Sequence, residues 1–392
     1  MLIELHGGGF HNKGAQLMLL TACAQLRERL GADCCVEFER NHPAAQCARA
    51  GLQRLFPPAP IERPRHQARM LRLSAIAGHY LPRTPLRAVG LVRRQDPAAL
   101  VDISGFAFGD AGPPRIMHNF SQRCAHYAAT GRPVILLPQM FGPFCDPRER
   151  AAMQRTLRCA TLVCPRDPVS HQHLRALAVP GARLRPAPDI TINDLHRVVA
   201  APAADSAPYA CLVVNKQILN HRAQEWGGAT GYIERLAAAG RHLHALGMHI
   251  SVVIHAGGGQ DRPLAEQLSA RLGPGCSTFT DPDPRVLKRH IAGARILVGS
   301  RFHAVLAALS TGVPALVIGW AHKYEAILAD FGHPEWIHPA AAGAEHLTGL
   351  IDAVLAQTDT TDGLRARAAA MQSALAEVWS EVAAILRRGV KR

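Results

Sequence analysis

RILVGSRFHAVLAALSTGVPALVIGW, residues 295–320, holds two short apolar runs on either side of a small-residue segment. Ile296, Leu297 and Val298 make an unbroken apolar run closed by Gly299, the pattern of a strand buried on both faces. The segment FHAVLAALSTG (302–312) is small and apolar, as a helix packed closely on a sheet must be. PALVIGW (314–320) repeats the first run. Strand, helix and strand in this order form a parallel unit. The first strand hands Ser300, Arg301 and His303 to the helix start, and the second ends at His322 and Lys323. Arg301, His303 and Lys323 are therefore expected at one rim, outside the carboxyl ends of the strands, where open parallel sheets bind ligands. Arg supplies a planar fork for carboxylate or phosphate and Lys a point charge. His exchanges a proton near neutral pH.

Outward from this unit the same alternation fills the chain. Strands are expected at 1–5, 33–39, 99–105, 133–139 and 161–167, with helices at 15–31, 148–160 and 168–179. A stretch dense in Ala and Pro, 196–209, reads as a linker, and the alternation resumes at YACLVVNK (209–216). The 392 residues suit two domains, 1–198 and 199–392. IELHGGGF (3–10) and VVIHAGGG (252–259) rhyme, each a strand ending in His and glycines. The expectation is an α/β protein of two Rossmann-like domains facing a cleft. Residues 57–94, rich in Pro and Arg, read as an excursion or lid near the active face.

Composition narrows the function. A hydrophobic share of 48% with 19% charged residues is that of a globular chain, not a disordered one. No apolar run reaches the roughly 18 residues of a membrane span, and the N-terminus lacks a basic n-region with an apolar h-region. A cytoplasmic protein is expected. The ten cysteines show no spacing of a zinc site and read as free, mostly buried thiols, so no metal is expected. Forty-four Lys and Arg against 30 Asp and Glu give a formal charge of +14, which favours anionic partners. With aromatics at 5% and no basic helix carrying stacking residues, nucleic acid is not among them.

HGGG at 6–9 raises the question of an esterase oxyanion hole. That chemistry needs a G-x-S-x-G nucleophile elbow, which the chain lacks; Ser300 in LVGSRFHA has no second glycine. The turn reads instead as an anion-facing loop in which Gly8 and Gly9 let backbone N–H groups approach a ligand, aided by Asn12, Lys13 and the following helix N-terminus.

V-G-S-R-F-H-A (298–304), A-L-S-T-G-V-P (308–314) and the Lys of A-H-K (321–323) resemble the C-terminal signature of the polysaccharide pyruvyl transferase family. N-K-G-A-Q-L-M-L (12–19) resembles its N-terminal loop, and DISGFAFGD (102–110) its Gly-rich loop ending in an acid, here Asp110. LLPQMFGPF (136–144) supplies Gln139, VCPRDPVS (163–170) the Arg166-Asp167-Ser170 turn, and PAPDITI (186–192) Asp189. The resemblance spans roughly residues 6 to 332. It implies a glycosyltransferase-B-like fold and transfer of pyruvate from phosphoenolpyruvate, as co-substrate, onto a sugar diol as a ketal, with no cofactor. Arg301 and His303 become the expected donor-binding and catalytic residues, with Arg166 beside them. Independently of the resemblance, His118 in GPPRIMHNF (112–120) is a candidate to share the proton relay. The implied acceptor is a sugar of exopolysaccharide or cell-envelope synthesis, and the +14 charge points to a lipid-linked oligosaccharide met by peripheral contact with the inner membrane surface. Two alternatives stay open: a nucleotide-sugar glycosyltransferase on the same scaffold, and an inactive scaffold homologue.

Overall fold

The computed structural model describes residues 1–37, 41–56, 82–109, 114–192, 207–256, 261–319 and 322–390. Asp110, residues 57–81 of the excursion, most of the linker at 196–209 and Gly257–Gly259 lie outside the described residues.

The chain divides into two compact units, residues 1–10, 18–190 and 374–392 in the first, 11–17 and 191–373 in the second. This differs from continuous halves split at 198. Residues 11–17 join the second unit because Asn12 bridges to Ala256 and the Lys13 ammonium donates to the Pro282 carbonyl at 2.6 Å. Residues 374–392 join the first, where Glu381 takes Arg183 and Arg185 as ion-pair partners.

The first unit holds a seven-stranded parallel sheet. Its strands are β1 (Leu2–His6), β2 (Asp33–Val36), β3 (Leu52–Phe56), β4 (Leu91–Arg93), β5 (Ala99–Asp102), β6 (Val134–Gln139) and β7 (Leu162–Pro165), in the order β4-β3-β2-β1-β5-β6-β7. The direction of winding reverses between β1 and β5, the switch point at which such sheets bind ligands. The end of the excursion is thus the edge strand β4, reached through α3 (Arg83–Ala88). The other helices are α1 (Lys13–Leu30), α2 (Ala44–Arg49), α4 (Pro114–Ala129), α5 (Pro147–Cys159) and α6 (Pro168–Arg175). The starts of α5 and α6 are written as Asp-Pro: Asp146 and Asp167 accept hydrogen bonds from the Arg148 and Ser170 amides, and proline opens each helix. The core joins Leu100, Leu136 and Val163 of the sheet to Phe120, Tyr127, Met153 and Leu157 of α4 and α5.

The second unit holds a six-stranded parallel sheet: β8 (Tyr209–Val213), β9 (His249–Val253), β10 (Cys276–Phe279), β11 (Ile296–Gly299), β12 (Ala315–Ile318) and β13 (Ile337–His338). Its order, β10-β9-β8-β11-β12-β13, reverses between β8 and β11. The helices are α7 (Lys216–Arg222), α8 (Gly228–Ala245), α9 (Arg262–Leu272), α10 (Pro284–Ala292), α11 (Phe302–Leu309), α12 (His322–Asp330), α13 (Ala344–Leu355) and α14 (Thr360–Val390). Every residue of α11 except His303 is buried, as its all-round apolar sequence requires. Each large apolar side chain hidden there stabilises the fold by about 1.5–3 kcal/mol. Gly299 is obligatory: a Cβ on it would stand 2.7 Å from the Cβ of Val213 on the neighbouring strand.

Candidate active site

In the first unit the switch-point strands end on a buried carboxylate. His6 and Asp102, the last residues of β1 and β5, are partners in register. Asp102 is fully buried and accepts from His6 Nδ1 at 2.7 Å, Ser104 Oγ at 2.6 Å and Gln139 Nε2 at 2.5 Å. Gln139 is therefore held in a network at the end of β6. The His6 ring lies against Phe120, centroids 4.7 Å apart. Gly7 follows at φ +87°, and a Cβ there would fall 2.0 Å from Ser104 Oγ, so only glycine admits this approach of the two turns. Within the glycine run Gly7 is exposed, while Gly8 and Gly9 are buried; the Gly8 carbonyl accepts from His42 Nε2 at 2.9 Å.

Arg166, at the end of β7, pairs through Nη1 with Asp189 at 2.8 Å, both side chains almost fully buried. Asp167 and Ser170, the rest of that turn, form the cap of α6, and Ser170 Oγ also accepts from the Phe141 amide at 3.0 Å. His118 lies exposed on α4, its ring beside Gln122 and Arg155, and is not among the residues gathered at Asp102.

In the second unit the end of β11 is fixed from several directions. The Ser300 carbonyl accepts from Asn215 Nδ2 and from the Tyr324 hydroxyl, each at 2.5 Å, and Ser300 Oγ shares a 2.5 Å hydrogen bond with the Tyr232 hydroxyl. Ser300 is fully buried in this web, which excludes it as an exposed nucleophile. Arg301, 7% exposed, donates through Nε to Asp261 Oδ2 at 2.8 Å and through Nη2 to Oδ1 at 2.5 Å. Asp261 also accepts from the amides of Lys216 (3.1 Å) and Ala256 (3.2 Å), so the carboxylate is satisfied on both oxygens. Side-on pairing of this kind uses one edge of the guanidinium and leaves the Nη1 end of the fork for an anion.

The N-terminal segment completes this group. Asn12 Oδ1 accepts from the Gly14 amide at 2.9 Å and caps α1. Gly14 lies against the imidazole of His303: a Cβ there would stand 2.0 Å from His303 Nδ1. Burial lowers the pKa of Lys13, with Asp281 and Asp283 partly opposing. His255, just beyond β9, is held well below the ordinary histidine range, first by burial and then by the nearby His303, Arg301 and Lys13. It is neutral at pH 7, in a neighbourhood of positive charge. Lys323 is buried, its ammonium 5.8 Å from the Phe302 ring centre and 5.3 Å from that of Tyr324. Lys13, Arg301 and His303 thus lie around His255 in one unit, with Asp261 paired to Arg301, and Lys323 lies beside Phe302, the residue between Arg301 and His303. Among the described residues no group of three or more His, Cys, Asp or Glu is arranged to hold a metal ion.

Sequence reading missed His6, Asp102, Ser104, His255 and Asp261. His6 and His255 each close a predicted strand beside glycines, a signal that was present. Asp261 stands directly before α9, and only the fold shows which cation it meets.

Two doubly wound parallel sheets, each with polar residues at its switch point, give the chain a glycosyltransferase-B-like fold. Similar solved structures include HepE (Alr3699) of Anabaena, solved with UDP and glucose, at 11% identity and TM-score 0.59 over 98% of this chain and 99% of that one. Arabidopsis thaliana UGT89C1, complexed with UDP-L-rhamnose, is 12% identical with TM-score 0.59 over 98% of both chains. The UDP-GlcNAc 2-epimerase of Neisseria meningitidis is 11% identical with TM-score 0.55 over 96% of this chain and 100% of that one. At such identities the likeness concerns the fold alone. The sequence pattern of the polysaccharide pyruvyl transferase family matches residues 12–322, and the chain belongs to that family, a family of transferases. No curated protein matches it in sequence. Among the described residues no helix is long and apolar enough to cross a membrane.

Proposed function

We propose that this protein transfers pyruvate from phosphoenolpyruvate to two hydroxyls of a sugar, forming a cyclic ketal. The observation that carries the reading is the group Lys13, Arg301 and His303 around His255, with Lys323 beside Phe302, in a member of the pyruvyl transferase family. Phosphoenolpyruvate bears a carboxylate and a phosphate. The free end of the Arg301 fork suits one of them, and Lys13 and Lys323 supply charge for the other. His303 is assigned the proton that converts the enol methylene to a methyl group, a role typically worth about 10²- to 10⁴-fold in rate. Two hydroxyl oxygens bond to the adjacent carbon in turn, and the carbon–oxygen bond to phosphate breaks. Of the two hydroxyl protons one makes good the proton given to carbon and the other leaves with phosphate. Charge stabilisation of that phosphate in a dry site contributes several kcal/mol.

The acceptor is assigned to the switch point of the first unit, as a sugar or lipid-linked oligosaccharide of exopolysaccharide or envelope synthesis. The +14 charge supports an anionic carrier at a membrane surface. Phosphate release from phosphoenolpyruvate across a panel of sugar acceptors tests the reading. Acceptor-dependent release that falls at least 100-fold in Arg301→Ala and His303→Ala is expected. Full rate in either variant refutes the residue roles. A thermal shift with nucleotide sugars, and none with phosphoenolpyruvate, replaces the reading with glycosyl transfer.

A further inference from the structure

We propose that His6, oriented by Asp102, is the base that takes the proton from the acceptor hydroxyl. The inference rests on the reading that the chain transfers a group to a hydroxyl. His6 and Asp102 end neighbouring strands at the switch point of the first sheet and face each other in register. Asp102 is fully buried and already takes hydrogen bonds from Ser104 and Gln139, the environment of an ionised acceptor. The 2.7 Å contact therefore places the imidazole hydrogen on Nδ1 and leaves Nε2 with its lone pair. A carboxylate behind a histidine fixes the tautomer and stabilises the imidazolium once it forms.

Exposure separates this arrangement from a strut between strands. The His6 side chain keeps 23% of its surface open while its partner keeps none. Phe120 backs the ring and fixes its plane. Gly7, exposed, removes any side chain that would stand beside it. In the turn that follows Asp102, Phe106 is 37% exposed, an apolar surface of the kind that binds the C–H face of a sugar ring.

In the displacement step a hydroxyl oxygen bonds to the donor carbon while the bond from that carbon to phosphate oxygen breaks. His6 Nε2 takes the hydroxyl proton and then yields it to solvent, from which the departing phosphate takes one proton, so the histidine ends neutral and no redox partner is needed. The same proton transfer serves a nucleotide-sugar donor, whose leaving group is a diphosphate.

The test compares His6→Ala, His6→Asn and Asp102→Asn in the full-length protein, using whichever donor the wild-type protein consumes. Asn at position 6 can still donate to Asp102 but has no base. The expected result is a kcat lower by about 10²- to 10⁴-fold in both His6 variants. Donor Kd by calorimetry should stay within twofold, and added imidazole should restore part of the His6→Ala rate. Asp102→Asn should lower kcat more than it raises the acceptor KM. Wild-type rate in His6→Ala overturns the proposal. So does recovery of rate in His6→Asn, or a loss unmoved by imidazole that follows a lower unfolding midpoint; these are the marks of a strut. Transfer from a nucleotide sugar by the wild-type protein would refute the pyruvyl reading and leave the His6 comparison intact. Absence of transfer from either donor overturns both.

Discussion

Replacing Gly14 by Ala should move His303 without unfolding the protein. The new Cβ would lie 2.0 Å from Nδ1, 2.5 Å from Cγ and 2.8 Å from Cε1 of the imidazole. Ordinary contact begins near 3.4 Å, so the ring or the first turn of α1 must withdraw by about 1.4 Å. Ala is favoured over Gly in a helix by about 1 kcal/mol, whereas overpacking costs about 1–3 kcal/mol. The net loss of stability is then no more than about 2 kcal/mol. A catalytic group displaced by about 1 Å can cost on the order of 100-fold in rate. Urea unfolding and the rate of phosphate release should therefore part company: a small shift in midpoint and a hundredfold loss of turnover. A double-mutant cycle tests the cause. In a His303→Ala background the alanine at position 14 has no ring to displace and should cost little further rate. An unchanged rate in Gly14→Ala, or an equal loss with and without the imidazole, would refute the reasoning.

Two further predictions concern the buried charges. Asp261→Ala removes the acceptor of two Arg301 donors and two backbone amides, and an orphaned buried charge costs about 3–5 kcal/mol, so the urea midpoint should fall markedly. Asp261→Ala matching the wild-type midpoint would disprove it. In the first unit, burial pushes the Glu37 carboxyl up, but Arg123 and Arg94 outweigh it and hold the pKa at about 2, against an ordinary 4.5. The folded state then binds this proton more weakly than the unfolded chain, so Glu37 contributes stability above pH 4.5 that is lost between there and about pH 2. That amounts to about 3 kcal/mol and should vanish from the acid unfolding profile of Glu37→Gln, which unchanged acid sensitivity would contradict.

The central strands of both sheets were legible because they are continuous apolar runs. Ile296–Gly299 and Ala315–Ile318 are buried throughout, and burial on both faces leaves no alternation to obscure the run. Three strands, β3 beside an edge and the edge strands β4 and β13, were not legible. Leu52–Phe56 carries Gln53 and Arg54, Leu91–Arg93 is three residues long and Ile337–His338 two, and strands so short or half exposed have no periodic signature. Arg301 and His303 could be found because they follow one strand directly. Asp102 could not be joined to His6, 96 residues earlier, without the strand order that sets them side by side. Asp261 stands 40 residues from Arg301 and was hidden for the same reason. Asn12, read as an anion contact, accepts from the Gly14 amide at the start of α1, because the residues that bind anions also cap helices.

The web around Ser300 bears on the thermodynamics of recognition. Asn215 follows β8, Tyr232 lies on α8 and Tyr324 on α12, and all three converge on the backbone or hydroxyl of one residue next to Arg301. The backbone leading into Arg301 is thus fixed by segments far apart in the chain, and Asp261 fixes its guanidinium. Little ordering entropy remains to be lost on binding. Affinity of this unit for an anion should follow the fit of that anion to a rigid fork rather than any ordering of the chain around it.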